Sequence, residues 1–474
     1  MDKYILTVGL EIHAELATKS KMWCGCKNDP DETRPNVNIC PVCMAHPGTL
    51  PVINKEAVKK VVQVGTALGG TISRDFTEFD RKNYFYPDIP KGYQLSQYKY
   101  PVVSGGELNG VKLTRIHLEE DTGTSIHDQG DHSLVNYNRA GVPLMELVTE
   151  PVIRSAKEAA DFGKEFQLLL QYLGAGEANL EKGEMRVEAN ISVSKDPNKF
   201  GTKVEVKNLN SFKAVEKAIE FEMARHIAML EKGEEINQET RGWDEDRSVT
   251  FSQRSKENAH DYRYFPDPDL PKLKLSLLSE FSEENIRKSL PELPWEKRTK
   301  YTDLGLQSQH VEFFVNNIKF SKYFDEVISS LNDDKESIKL ASNYIAVDLA
   351  GLSQKAEFEV FPDSNLISEL VGFIRSNKLS SRGAKDALLY TTLKENEGKT
   401  IEQIANEKGL IQVSDTGALE KVIDTIIVNN EKVVLEYKAG KVASLQFLLG
   451  QAMKETKGSA NPGILRELFV KKLG

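Results

Sequence analysis

Residues 115–151 read RIHLEEDTGTSIHDQGDHSLVNYNRAGVPLMELVTEP. They gather Glu119, Glu120, Asp121, Glu146 and Glu150, with His117, His127, His132 and Arg139 among them, beside the apolar run Val142-Pro-Leu-Met145. Carboxylates this dense next to apolar segments predict acidic groups held on strands. Hard oxygen ligands of that kind suit Mg²⁺, and Mg²⁺ usually accompanies phosphate. A charged loop facing water is the alternative that composition leaves open.

Upstream, Tyr4, Leu6, Val8, Leu10, Ile12, Ala14 and Leu16 alternate with Thr7, Gly9, Glu11, His13 and Glu15, the pattern of a half-buried β-strand. Its polar face sets Glu11 and His13 side by side, about 7 Å apart along the strand, within reach of one ion; an ordinary solvent face is the other reading. All the cysteines follow as Cys24-Gly-Cys26 and Cys40-Pro-Val-Cys43. Two close pairs predict a tetrahedral thiolate site for structural Zn²⁺, against two disulfides or a redox pair at Cys40 and Cys43. Residues 79–97, FDRKNYFYPDIPKGYQLSQ, read as an ordered loop whose prolines rule out a long helix. Its basic and aromatic side chains suit a phosphate or a base, or anchor the loop in a core.

Downstream, Ser155-Ala-Lys-Glu158 reads as a capping box opening an amphipathic helix that ends at Gly174. Arg186–Ser194 and Lys203–Asn210 alternate as strands, and Ser211–Lys232 is a second amphipathic helix stopped by Gly233. Glu, Asn and Lys on several strand faces predict a common cleft for a metal and a nucleotide. A proline-rich passage ends near Pro294, where we place a boundary. Beyond it, 295–409 is helix-like, for example over Val311–Leu331 and Leu366–Asn377. Gly398-Lys-Thr400 lacks the glycine five residues earlier that a phosphate loop requires. Residues 410–474 carry nine Lys and Arg against seven Asp and Glu on an otherwise acidic chain, a weak sign of nucleic-acid docking.

The chain has 474 residues, 39% apolar, with net charge −9. That length predicts two or three domains. No window is apolar enough for a membrane span or a signal peptide, so a cytoplasmic protein is expected. The charge excludes a uniformly basic nucleic-acid coat and leaves local basic surfaces open.

Seven segments in order, VGLEIHAEL, DRKNYFYPDIPKGYQLSQ, RIHLEEDTG, NRAGVPLMELVTEP, EVKNLNSF, DYRYFPDPDLP and LLGQAMKETKGSANP, closely resemble the B subunits of the aspartyl/glutamyl-tRNA amidotransferases, over essentially the whole chain. The resemblance implies an α+β fold: a cradle domain over 1–294 on a mixed, mainly antiparallel sheet with a zinc knot at 24–43, an all-helical domain over 295–409, and a small helical tail over 410–474 that contacts tRNA. It implies ATP-dependent phosphorylation and amidation of the side-chain carboxylate of Glu-tRNA(Gln) or Asp-tRNA(Asn), with an amidase A subunit and a small C subunit as partners. Because zinc would occupy every cysteine and no Ser-rich amidase signature occurs, glutamine hydrolysis belongs to a partner.

The same resemblance implies that Glu11, His13, Glu120 and Glu146 surround Mg²⁺, with Glu119 as a substitute for Glu120. Glu150, Glu188, Asn190, Glu205 and Asn210 are candidates for supporting that ion or holding a second. Lys82, Arg139 and Lys207 are phosphate candidates, and Lys441, Lys454 and Lys457 are tRNA candidates. Two rival classes stay open: a free-standing ligase using dissolved ammonia, and a tRNA-binding scaffold with no catalysis.

Overall fold

The computed structural model describes residues 4–126, 130–255, 262–355, 361–412, 416–456 and 460–474. The chain forms two compact units, Met1–Pro294 and Trp295–Gly474.

The first unit is built on a large sheet. Its main strands are β1 (Ile5–Glu15), β2 (Val111–Glu120), β3 (Pro143–Thr149), β4 (Met185–Ser194), β5 (Val204–Leu209), β6 (Glu239–Asp244) and β7 (Val249–Ser255). They lie in the order β7-β6-β5-β4-β1-β3-β2, and the sheet continues through Val103–Ser104 and Thr71–Ile72. The main strands pair antiparallel except β5 and β6, which run parallel. β1 is central because its apolar positions need cover. Val8, Ile12 and Ala14 have no exposed surface, and Ala189, Ile191, Val204 and Val206 extend the same layer. Helices α1 (Ala156–Tyr172) and α2 (Phe212–Lys232) pack here, α2 against β4 and the two helices on each other. Gly163 permits their contact, since a Cβ there would come within 2.8 Å of the Phe212 ring.

Three local readings change. β1 is more buried than a half-buried strand, since Thr7 and Glu15 on its polar face are buried, while Glu11 and His13 between them stay partly exposed. Ser155 does cap α1, its Oγ accepting from Glu158 N at 3.1 Å. The Glu158 carboxylate, however, accepts from Arg154 N at 2.8 Å, one residue earlier than a capping box requires. Residues 79–97 form a hairpin, Asp80–Asn83 with Tyr93–Ser96, extended by Phe265–Pro266 into a small separate sheet.

Every named element of the second unit among its described residues is a helix, with one isolated β-bridge between Leu379 and Ile411. Val311–Leu331 is two helices, Ser308–Asn316 and Ile318–Ser329. Asn317 breaks the run at φ −124° and ψ 86°, its Nδ2 donating to Phe313 O at 2.6 Å, the local competition with the helix ladder that Asn favours. Tyr301, Phe314 and Phe324 pack as a ring cluster, the two phenylalanines stacked with centroids 4.1 Å apart. Near the C-terminus, Leu419, Ile423, Leu448, Leu465 and Phe469 bury a core of their own. No helix among the described residues is long and apolar enough to cross a membrane.

Candidate active site

Strand alternation decides which side chains meet. On β2, Ile116 and Leu118 join the apolar layer while Arg115, His117 and Glu119 point the other way. Glu11, His13 and Glu15 on β1, Glu146 on β3, Arg186, Glu188 and Asn190 on β4, and Glu205 and Lys207 on β5 share that opposite face.

His13 Nε2 lies 3.4 Å from Glu119 Oε1 and 3.3 Å from Glu146 Oε2. His117 Nε2 stands 3.4 Å from the same Glu146 oxygen. Arg115 Nε donates to His117 Nδ1 at 3.3 Å, which puts the proton of a neutral ring on Nε2 and aims that N–H at Glu146. Ser96 Oγ donates to Glu119 at 3.1 Å. Toward β5, Lys207 Nζ donates to Glu188 at 2.7 Å and Thr240 Oγ1 to Glu205 at 2.8 Å.

Proximity sets the charges. Burial pushes Glu11 up to about 7, with the Glu146 and Glu188 carboxylates adding to the effect. Burial alone would lower His13, yet Glu119 and Glu146 outweigh it and hold the imidazole well above its usual value. Burial likewise opposes ionisation of Glu146, but His117 and His13 bring it down to about 2. They hold Glu119 well below the carboxylate range too. Lys82, lying over the rings of Tyr84 and Tyr262, is raised against burial, chiefly by Glu119.

Donor atoms of Glu11, His13 and Glu146 fall within 4.8 Å of one another, as do those of His117, Glu119 and Glu146, and of Glu11, Glu188 and Glu205. Such overlapping, carboxylate-rich sets fit hard divalent cations. Glu120 is not among them. It follows Glu119 directly, so alternation turns it to the opposite face, where Lys91 Nζ at 2.6 Å and Leu95 N at 2.9 Å hold it. The polar spacing of Arg115, His117 and Glu119 between Ile116 and Leu118 is the sequence signal for Glu119, and equally for His117, which the resemblance leaves without a role.

Other candidates fall elsewhere. Arg139 donates to the carbonyls of Thr122 and Gly123 at 3.1 and 3.2 Å, inside its own loop. Glu150 lies past the end of β3 and accepts from Thr114 Oγ1. Asn210 lines a groove with Gln167 and Gln171, to which none of Glu11, Glu119, Glu146, Glu188 and Glu205 contributes. Lys441 is exposed and paired with Glu436, Lys454 is exposed on the helix Ala443–Glu455, and Lys457, like His127, lies outside the described residues.

The four cysteines converge, their sulfurs within 4.8 Å of one another. Cys43 Sγ accepts from Cys40 N at 3.1 Å, and Gly141, at φ +84°, lets the chain pass beside Cys43 and Lys21. Lys21 is fully buried here, with the Tyr137 carbonyl as its hydrogen-bond acceptor. Burial lowers its pKa, and the four thiols pull it back upward. A buried cation suits a dication held by four thiolates, which is a net anion.

Residues 6–279 match the family model described as GatB/GatE catalytic domain, and 322–473 the GatB domain. The aspartyl/glutamyl-tRNA(Asn/Gln) amidotransferase B subunit of Thermodesulfovibrio yellowstonii is 43% identical, over 99% of both chains. That of Gloeothece citriformis is 40% identical, over 99% of this chain and 98% of its own. The chloroplastic/mitochondrial glutamyl-tRNA(Gln) amidotransferase B subunit of Physcomitrium patens is 42% identical, over all of this chain and 86% of its own. With a sheet face of converging carboxylates and matches along its length, this chain belongs to the family of aspartyl/glutamyl-tRNA amidotransferase B subunits.

Proposed function

We propose that this chain is the component of a glutamine-dependent tRNA amidotransferase that activates and amidates misacylated tRNA. A side-chain carboxylate oxygen of Glu-tRNA(Gln) or Asp-tRNA(Asn) attacks the γ-phosphorus of ATP, ADP leaves, and an acyl phosphate forms. Ammonia then attacks the acyl carbon, phosphate leaves, and the nitrogen sheds a proton to give the amide. The observation that carries this reading is the meeting of Glu11, His13, Glu119 and Glu146 on one sheet face beside His117.

Glu11, His13, Glu119 and Glu146 would hold Mg²⁺, and Glu188 and Glu205, with Glu11, a second ion. Bound Mg²⁺ supplies neutralisation of phosphate charge and alignment of the γ-phosphate. His117, oriented by Arg115, holds Glu146 in place. Lys82 and Lys207 bring positive charge to the phosphates. Zn²⁺ on Cys24, Cys26, Cys40 and Cys43 would brace the loop without entering the reaction. An amidase A subunit would release ammonia and pass it through an internal channel, and a small C subunit would complete a cytoplasmic assembly. Residues 295–409 would form a helical domain and 410–474 a tail holding tRNA.

The test is ATP-dependent amidation of Glu-tRNA(Gln) by this chain with and without those partners. Glutamine-driven product with the partners alone supports the reading. Equal activity from the isolated chain on ammonium would favour a free-standing ligase, and no ATP cleavage under any condition would leave a scaffold.

A further inference from the structure

A substrate carboxylate approaching this face meets Glu11, Glu119, Glu146, Glu188 and Glu205, and like charges repel. Most cations there are already engaged: Lys207 with Glu188, Arg115 with His117 and Glu146, and Lys82 over two tyrosine rings. Arg186 differs. It is the register partner of His13 on the adjacent strand, so its side chain leaves the sheet beside the imidazole. That side chain is 39% exposed, and among the described residues its hydrogen-bond partner is Asp121. Its Nε has no partner. Asp121 is itself buried, accepts from Thr122 N at 2.8 Å and has Arg139 Nε at 3.5 Å. Two arginines therefore share that one aspartate, with the Glu15 and Glu119 carboxylates also acting on Arg186. Its unpartnered Nε is buried, so Nη1, without a hydrogen bond among the described residues, is the donor left for a ligand at this partly exposed side chain.

We propose that Arg186 reads the substrate's side-chain carboxylate, gripping the glutamyl or aspartyl group at the tRNA 3′ end through the Nη1 end of its guanidinium. The proposal rests on the amidotransferase reading above. A planar fork matches a planar carboxylate and loses much of that match when the group becomes an amide, so the residue also distinguishes substrate from product. The same fork accepts phosphate oxygens, and the experiment must separate the two.

Arg186→Gln in the assembled amidotransferase is the test, with steady-state amidation read against Glu-tRNA(Gln) and ATP separately and equilibrium binding read for charged and uncharged tRNA. We expect the KM for Glu-tRNA(Gln) to rise about ten- to hundredfold, as for loss of a charge-assisted hydrogen-bond pair. The KM for ATP should move by no more than about twofold, affinity for uncharged tRNA should hold, and the wild-type preference for charged over uncharged tRNA should vanish. Arg186→Lys keeps the charge without the fork and should fall between; it also decides the matter if a thermal melt shows Arg186→Gln unfolded. An unchanged KM for charged tRNA, a rise confined to ATP, or an equal loss for charged and uncharged tRNA overturns the proposal. Should the wild-type assembly amidate nothing, the amidotransferase reading fails, while the charged-against-uncharged binding comparison still judges Arg186.

Discussion

His13 and Glu146 face each other as register partners on β1 and β3, with Nε2 and Oε2 3.3 Å apart. Burial favours neither charge, yet Glu119 and Glu146 raise the imidazole, and His117 and His13 bring the Glu146 carboxylate down to about 2. A cation entering this site takes the place of a proton.

Metal binding should therefore depend on pH with a definite sign. A raised pKa keeps His13 protonated at neutral pH, and a ligating nitrogen must be neutral, so Mg²⁺ has to expel that proton. Glu11, at about 7, gives up a fractional proton as well. Affinity should rise with pH, by about tenfold per unit for each proton released. Calorimetry in two buffers of different ionisation enthalpy counts the protons, and a pH-independent affinity would contradict the assignment.

Glu146→Gln removes a charge at nearly constant volume. Folding should survive, and tRNA-dependent ATP cleavage by the assembly should fall by orders of magnitude, since a bound metal contributes several kcal/mol to the transition state. Glutaminase activity without ATP, chemically separate, should persist. Normal ATP cleavage would reduce the cluster to a charged surface.

Purified protein should contain about one zinc on four thiolates. Cys40→Ser should lower that content and loosen the loop while altering the amidation step little, because the cysteines and Glu11, His13 and Glu146 form separate clusters. Elemental analysis with native thiol titration measures this, and four freely titrating thiols in the wild type would refute zinc.

Glu222 on α2 predicts an acid limit for the first unit. It is fully buried and accepts from Arg225 Nη2 at 2.7 Å, with Arg241 Nε at 3.3 Å and Thr250 Oγ1 also bonded. Burial opposes its ionisation, but His226 and Arg225 lead a set of partners that brings it down to about 2. A depressed carboxylate stabilises the fold above its unfolded value of 4.5 and loses that contribution as pH falls toward 2. The stake is about 3 kcal/mol. Denaturant midpoints should drop across that window in the wild type and much less in Glu222→Gln.

Deleting residues 410–474 should weaken tRNA binding and leave the partner's glutaminase intact. Lys454→Glu alone should lower the slope of log affinity against log salt by about one if that lysine meets a phosphate. An unaltered slope would remove it from the interface.

Period-two alternation makes Glu11, His13, Glu188, Asn190, Glu205 and Lys207 readable as polar faces in the sequence, and a single sheet brings those faces together. Between Glu119 and Glu120 the resemblance names Glu120, whereas the alternation of β2 sets Glu119 on the face shared with Glu11, His13 and Glu146. Arg139, Glu150 and Asn210 are less legible for a different reason. They sit at strand ends and in loops, where the partner is fixed by tertiary contacts such as the Thr122 carbonyl and not by a repeat. Likewise the third strand that extends the Asp80–Asn83 hairpin, Phe265–Pro266, lies far away in sequence.

A site laid out across the pleats of neighbouring strands has a genetic consequence. Point changes at Glu11 or His13 alter one side chain of that face, but losing a single codon within Ile5–Glu15 would shift the frame of the pleat and exchange the two faces of β1 downstream of the lesion. Ile12 and Ala14 would then stand among the carboxylates, and His13 would be driven into the packed layer under the helices. Natural variation in this strand is therefore expected to accumulate as replacements, with insertions and deletions confined to the connections.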